Sequence, residues 1–141
     1  MIVNDGSSDD TSARAAELAS VRKDTTLINL SPNRGMGGAL RAGFAAAKGT
    51  HIATLDADLT FPPACLKDLY TAALAANADL ASGSPYLRPG DMADVPWVRR
   101  LPGLMINALY RGLFGMRLTA YTPVFRLYRS SFIKNLHLVS N

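Results

Sequence analysis

Residues 51–63, HIATLDADLTFPP, combine an apolar run, two carboxylates and a pair of prolines. The short β-branched and apolar run at 51–55 predicts a buried strand. Asp56 and Asp58 follow directly, and the two prolines then favour the first turn of a helix. A strand that ends on acidic side chains and leads into a helix is typical of a parallel α/β sheet, which binds its ligands at the carboxyl ends of its strands.

The same order of strand and helix extends on both sides of this stretch. Further strands are predicted at 1–4, 26–30 and 79–84. Helical patterns are predicted at 10–23, 38–48 and 62–76. This alternation predicts an α/β fold with a mostly parallel sheet and helices on both of its faces.

Composition limits the class of protein. With 141 residues, 48% hydrophobic and 18% charged, the chain suits one domain with a core and neither a disordered segment nor a coiled coil. The lone Cys65 cannot form an intrachain disulfide, and the first residues lack the basic and apolar regions of a signal peptide. We therefore expect a cytoplasmic protein, or one bound peripherally at the cytoplasmic face of a membrane.

Charge is distributed unevenly along the chain. Residues 1–84 carry seven Lys/Arg and nine Asp/Glu, a net charge of −2, whereas residues 85–141 carry eight and two, a net charge of +6. The basic residues of the second part alternate with Leu, Pro and Gly and not with aromatic residues, so we do not expect nucleic acid as a partner. Anionic lipid or a phosphorylated ligand fits at least as well.

Two polar loops also follow predicted strands. Residues 4–11, NDGSSDDT, turn the chain and cap a helix, although capping does not require Asp5 at the strand end. Residues 33–38, NRGMGG, open the next helix, and glycines there let the backbone approach a phosphate. Taken singly, each loop and the Asp56 and Asp58 pair have a purely structural explanation as turns and helix caps.

Taken in order and spacing, NDGSSDDT, NRGMGGALRAGFAAAKG and DADLTFPP resemble glycosyltransferase family 2. The resemblance is strongest to the branch that transfers sugars to dolichyl or polyprenyl phosphate, such as dolichyl-phosphate mannosyltransferases. It continues through GSPY at 83–86 and FRLYR at 125–129. It implies a GT-A fold that binds a nucleotide-diphospho-sugar.

The resemblance also implies how the chain is organised. Residues 1–141 would form a single, partial glycosyltransferase domain, with a donor-binding part at about 1–84 and an acceptor- and membrane-facing part at about 85–141. Family members begin with an apolar strand that ends in a P-x-Y-N-E-like segment. The chain is therefore expected to lack the first strand of the fold and to be truncated at both ends.

Individual residues take roles from the same resemblance. The donor-binding candidates are Asp5, Asn33, Arg34, Gly35 and Asp56. Asp56 and Asp58 match the pair that binds Mg²⁺ or Mn²⁺ together with the diphosphate, and Asp58 is the catalytic candidate. The candidates for binding the acceptor phosphate or the leaving diphosphate are Ser84, Arg99, Arg100 and Arg126.

The chain departs from the family pattern at several positions, including Pro123–Val124, which replaces a Ser-Gly pair. Asn4 replaces a first Asp, and Thr60 stands where some members place a Gln near the metal. Pro85 replaces the Arg of the usual GSRY, and Ala120 replaces an Asp that precedes TSGFR.

A basic amphipathic helix is predicted from Leu101 onward. Its apolar positions are Leu101, Leu104, Met105, Ala108, Leu109, Leu113 and Met116, with Arg100, Asn107 and Arg111 on the opposite side. Packing on the core and a position at a membrane surface are about equally expected. Trp97 and the adjacent Arg99 and Arg100 favour the membrane surface.

The leading hypothesis is an enzyme that transfers a sugar from a GDP- or UDP-linked donor to a polyprenyl phosphate, with inversion. A phosphate acceptor is ionised near neutral pH, with a second pKa of about 6, and needs no general base. After Asp79 the only carboxylates are Asp91 and Asp94, in a loop with Pro and Gly. Two alternatives stay open: transfer to a saccharide hydroxyl, and a degenerate, non-catalytic fragment that binds a membrane surface or a partner.

Overall fold

The computed structural model describes residues 1–86, 96–115 and 118–139. Strands and helices alternate along the chain and are named here in order. They are β1 (Ile2–Asn4), α1 (Thr11–Val21), β2 (Leu27–Asn29), α2 (Gly35–Ala46), β3 (His51–Thr54), α3 (Cys65–Ala75), β4 (Leu80–Ser82), α4 (Trp97–Phe114), β5 (Arg126–Arg129) and α5 (Ser130–Lys134). The predicted α/β class is confirmed.

Helices α2 and α3 each begin three residues away from their predicted starts. Helix α2 begins at Gly35, three residues before the predicted start, because the Asn33 side chain accepts a hydrogen bond from the Gly35 backbone N–H at 3.0 Å. Helix α3 begins at Cys65 because the prolines before it form a separate turn, in which the Cys65 N–H bonds to the Pro62 carbonyl at 2.9 Å.

The chain forms two compact units, Met1–Ile52 with Ser130–Asn141, and Ala53–Arg129. In the first unit β1 and β2 pair in parallel, with Ile2 opposite Leu27. Helix α2 packs on β1 and on α5, and its Phe44 is buried. The expected functional division near residue 84 stays a prediction.

The second sheet has the strand order β3-β5-β4. Strands β4 and β5 are antiparallel, with Ser82 opposite Arg126. Because these two strands run in opposite directions, the end of β4 and the start of β5 lie at the same end of the sheet. The expectation of a mostly parallel sheet is corrected to this extent: in the described residues β1 and β2 pair in parallel, whereas β4 and β5 are antiparallel.

Candidate active site

Four of the donor-binding candidates lie together in the first unit, between the end of β1 and the start of α2. One carboxylate oxygen of Asp5 accepts a hydrogen bond from the Arg34 backbone N–H at 2.8 Å. The Asn33 side-chain amide donates to the Asp5 carbonyl oxygen at 2.6 Å. Because Asn33 also caps Gly35, these contacts form one loop cluster of Asp5, Asn33, Arg34 and Gly35. Its role in donor binding remains a prediction.

The departure at position 4 has a structural explanation. Asn4 is buried, and its amide N–H donates to the Asn29 side-chain oxygen at 2.9 Å, joining β1 to β2. Its own oxygen accepts from the Ser7 hydroxyl at 2.6 Å. A carboxylate could not donate the first of these bonds, so the amide at this position suits the loop that carries Asp5.

Two acidic candidates and one basic candidate lie at one edge of the second sheet. Asp56 and Asp58 follow β3, and Arg126 is the first residue of β5. The Thr54 hydroxyl, at the end of β3, donates to the Val124 carbonyl just before β5. This contact brings the carboxyl end of β3 beside the start of β5.

Ser84 lies at the same edge as Arg126. It follows β4 by two residues, and Ser82 at the end of β4 is paired with Arg126. The antiparallel direction of β5 is therefore what puts Arg126 at the carboxyl end of β4. A parallel β5 would have its first residue at the opposite edge.

The loop after β3 fixes the Asp58 carboxylate in its charged form. Its Oδ1 accepts a hydrogen bond from the Thr60 backbone N–H at 2.9 Å, and Thr60 lowers the pKa of this exposed carboxyl below its ordinary value of 3.8. Leu59 adopts a φ of 57°, a left-handed conformation that costs a residue with a Cβ about 1 kcal/mol. Thr60, at the position where related sequences often have Gln, therefore supports Asp58 directly.

An aromatic stack attaches this loop to the start of β5. The rings of Phe61 and Phe125 lie 4.9 Å apart at 23°. Gly83 allows this arrangement because a Cβ at its position would lie 2.3 Å from the Phe125 ring. Phe61 and Phe125 lie within the motifs DADLTFPP and FRLYR, but the sequence alone assigned neither of them a role.

Part of the Arg126 guanidinium is hydrogen-bonded within the protein. One guanidinium nitrogen, Nη2, donates to the Tyr121 carbonyl, while Nε is buried without a hydrogen-bond partner in the described part of the chain. Arg100 lies half-buried in the first turn of α4. The side chain of Arg99 lies outside the described residues, as do Asp91, Asp94 and Met116.

Helix α4 exposes its apolar face. The apolar residues along it are 45–70% exposed: Trp97, Val98, Leu101, Leu104, Met105, Leu109, Leu113 and Phe114. Asn107, predicted on the opposite, polar side, is instead buried at 3% exposure. Within residues 1–86, 96–115 and 118–139, no helix is long and apolar enough to cross a membrane.

The carboxylates at the sheet edge suit a metal ion that is shared with a ligand. The described ranges contain no group of three or more His, Cys, Asp or Glu that could hold a metal. Asp56 and Asp58 can each offer oxygen to Mg²⁺, which usually keeps other oxygen ligands from water and substrate phosphates. The donor set therefore fits an ion bound together with a diphosphate.

Comparison with known proteins gives consistent matches over nearly the whole chain. The model of the family "Glycosyl transferase family 2" matches residues 1–136. Polyprenol monophosphomannose synthase of Mycolicibacterium smegmatis is 33% identical over 98% of this chain and 53% of its own length. An undecaprenyl-phosphate 4-deoxy-4-formamido-L-arabinose transferase of Edwardsiella ictaluri is 35% identical over 95% and 40%, respectively.

A third relative, dolichol-phosphate mannosyltransferase of Pyrococcus furiosus, is 33% identical over 72% of this chain and 28% of its own length. The chain thus spans about half, or less, of the length of these relatives. The resemblance deduced from the motifs is confirmed. Because the family model covers residues 1–136, the chain belongs to glycosyl transferase family 2, a family that implies the GT-A fold.

Proposed function

We propose that this chain belongs to an enzyme that transfers a sugar from a nucleotide-diphospho-sugar to a polyprenyl phosphate and inverts the anomeric configuration. The observation that carries the proposal is the single sheet edge that holds two carboxylates, Asp56 and Asp58, together with Ser84 and the guanidinium of Arg126. A reaction between two phosphate-bearing substrates needs this combination of metal ligands and phosphate-binding groups. The relatives, which include a polyprenol monophosphomannose synthase and a dolichol-phosphate mannosyltransferase, agree with it.

On the donor side, Asp56 and Asp58 would hold Mg²⁺ or Mn²⁺ for the diphosphate, and Asp58 is the catalytic carboxylate. The loop cluster of Asp5, Asn33, Arg34 and Gly35 binds the nucleotide part of a GDP- or UDP-linked sugar. When bound, the metal ion neutralises the charge of the departing nucleoside diphosphate.

On the acceptor side, Arg126 orients the lipid phosphate, assisted by Ser84 and by Arg99 and Arg100 of α4. A phosphate oxygen attacks the anomeric carbon and forms the new carbon–oxygen bond. The bond from that carbon to the diphosphate oxygen breaks, and its electron pair leaves with the nucleoside diphosphate. The acceptor is already ionised at neutral pH, so positioning and charge supply the catalysis and no general base is required.

Helix α4 holds the enzyme at the cytoplasmic face of a membrane. Its apolar residues are exposed along one face, and the basic residues Arg100 and Arg111 complement anionic headgroups. A lipid phosphate lies at the bilayer surface, so a helix seated there brings the acceptor within reach.

The test uses the full-length protein, Mn²⁺ and a panel of GDP- and UDP-sugars. Asp58→Asn should abolish Mn²⁺-dependent thermal protection by the nucleotide sugar and abolish transfer to polyprenyl phosphate. The matched control is Glu17→Gln, which removes an exposed carboxylate on α1. Transfer only to saccharide acceptors would overturn the assigned acceptor. If no nucleotide sugar protects the wild-type protein, the alternative of a degenerate, non-catalytic fragment is supported.

A further inference from the structure

Asn107 is an unusual residue for the buried side of an amphipathic helix. It is 3% exposed, whereas its neighbours Met105 and Leu109 on α4 are more than half exposed. Burying an amide is unfavourable unless it forms hydrogen bonds. A polar residue in this place therefore has a specific partner.

That partner is the backbone of Tyr121. The Asn107 Oδ1 accepts a hydrogen bond from the Tyr121 N–H at 2.9 Å. Arg126 donates to the carbonyl oxygen of the same residue. The rings of Tyr110 and Tyr121 meet edge-on with centroids 5.5 Å apart, which adds a second contact between α4 and Tyr121.

Tyr121 thus links α4 to Arg126. Its carbonyl oxygen accepts a hydrogen bond from Nη2 of Arg126 and so holds one end of the guanidinium group in place. Two buried donors, the Asn107 amide nitrogen and Arg126 Nε, have no partner in the described part of the chain. The contacts to Tyr121 therefore decide how the two side chains are oriented.

We propose that Asn107 is a positioning residue, which holds Tyr121 so that the guanidinium of Arg126 is oriented toward the acceptor phosphate. This inference rests on the proposed function, in which Arg126 binds that phosphate.

The test measures KM for both substrates with the full-length protein in detergent micelles. Asn107→Ala should raise the KM for a short-chain polyprenyl phosphate about tenfold and leave the KM for the nucleotide sugar unchanged. Asn107→Asp keeps the oxygen that accepts from Tyr121 and should retain part of the lost affinity. Ile106→Ala, at the neighbouring half-buried position, controls for lost helix packing.

A double-mutant cycle tests whether Asn107 acts through Arg126. Asn107→Ala combined with Arg126→Ala should raise the acceptor KM no further than Arg126→Ala alone. Additive losses, or an equal rise in both KM values, would overturn the inference. If Asn107→Ala has no cooperative melt, Asn107→Ser replaces it with the same expectation, since its shorter side chain does not reach Tyr121.

The two proposals fail in different ways. A wild-type protein that transfers sugar to polyprenyl phosphate, together with an Asn107→Ala variant of unchanged acceptor KM, would overturn only the role of Asn107. A wild-type protein that does not use polyprenyl phosphate would overturn the proposed function and this inference with it.

Discussion

Helices α2 and α4 both carry many apolar residues, and they use them in opposite ways. Helix α2 packs on β1 with small residues and buries Gly38 and Phe44. A Cβ on its Gly43 would lie 3.5 Å from the Val3 side chain, an ordinary contact distance. Helix α4 buries an amide, Asn107, and exposes its leucines.

The difference teaches that hydrophobic periodicity identifies two faces of a helix without saying which one covers the domain. The apolar side of α2 serves folding of its unit. The apolar side of α4 is exposed, so a partner such as a lipid surface can cover it and exclude water from it. The following predictions test this contrast.

The largest effect is expected from Phe44→Ala in α2. Removing this ring, which is 6% exposed, should lower the free energy of unfolding by about 3–5 kcal/mol. Leu109→Ala in α4, where the side chain is 54% exposed, should change it by no more than about 0.5 kcal/mol. Urea denaturation followed by circular dichroism measures both, and similar losses would mean that the leucine face of α4 is part of a core.

Binding to membranes should depend instead on the exposed leucines of α4. Leu104→Ala with Leu109→Ala should weaken binding to anionic vesicles by up to about fiftyfold for each leucine, because each substitution removes three carbon groups that contribute about 0.8 kcal/mol apiece when buried. The matched control, Leu74→Ala, removes a leucine of α3 that is 51% exposed. Vesicle flotation gives the partition constants. Equal losses from α3 and α4 would argue against a specific membrane-facing helix.

Substitutions of two glycines should change stability by smaller amounts and in opposite directions. Gly83→Ala should destabilise the protein by about 1–3 kcal/mol, because its Cβ would meet the buried Phe125 ring. Gly112→Ala in α4, where a Cβ meets nothing within 4 Å, should stabilise the helix by about 0.5–1 kcal/mol. Thermal melts distinguish the two outcomes, and a loss at Gly112 would indicate an unseen contact on α4.

The smallest effect concerns Asp58, an exposed polar side chain that, like the buried Asn107, accepts from a backbone N–H. Its pKa is lowered by Thr60, so its contribution to stability is present above 3.8 and is lost as the pH falls through the folded-state pKa. Thr60→Val keeps the backbone donor, removes the hydroxyl and should raise the pKa of Asp58 only in part. A carbon-13 NMR titration measures this, and a wild-type midpoint at or above 3.8 would contradict it.

The sequence alone determined the order and positions of most strands and helices. Local apolar runs, caps and glycines carry that information, and they also marked Asp5, Asp56 and Asp58 as strand-end side chains. The start of α2 was misplaced because two contacts fix the loop before it: the bond from the Gly35 N–H to Asn33 and the bond from the Arg34 N–H to Asp5, which lies 29 residues away. Only the second contact has no local signature.

Only the tertiary structure decided the direction of β5, the orientation of α4 and the role of Asn107. Each depends on partners distant in the chain: Ser82 for Arg126, and Tyr121 for Asn107. A periodic pattern is unchanged when a strand reverses or a helix turns its other face inward. The contacts that distinguish those arrangements form between residues far apart in the sequence, so local pattern could predict the elements and their motifs but not the edge at which they meet.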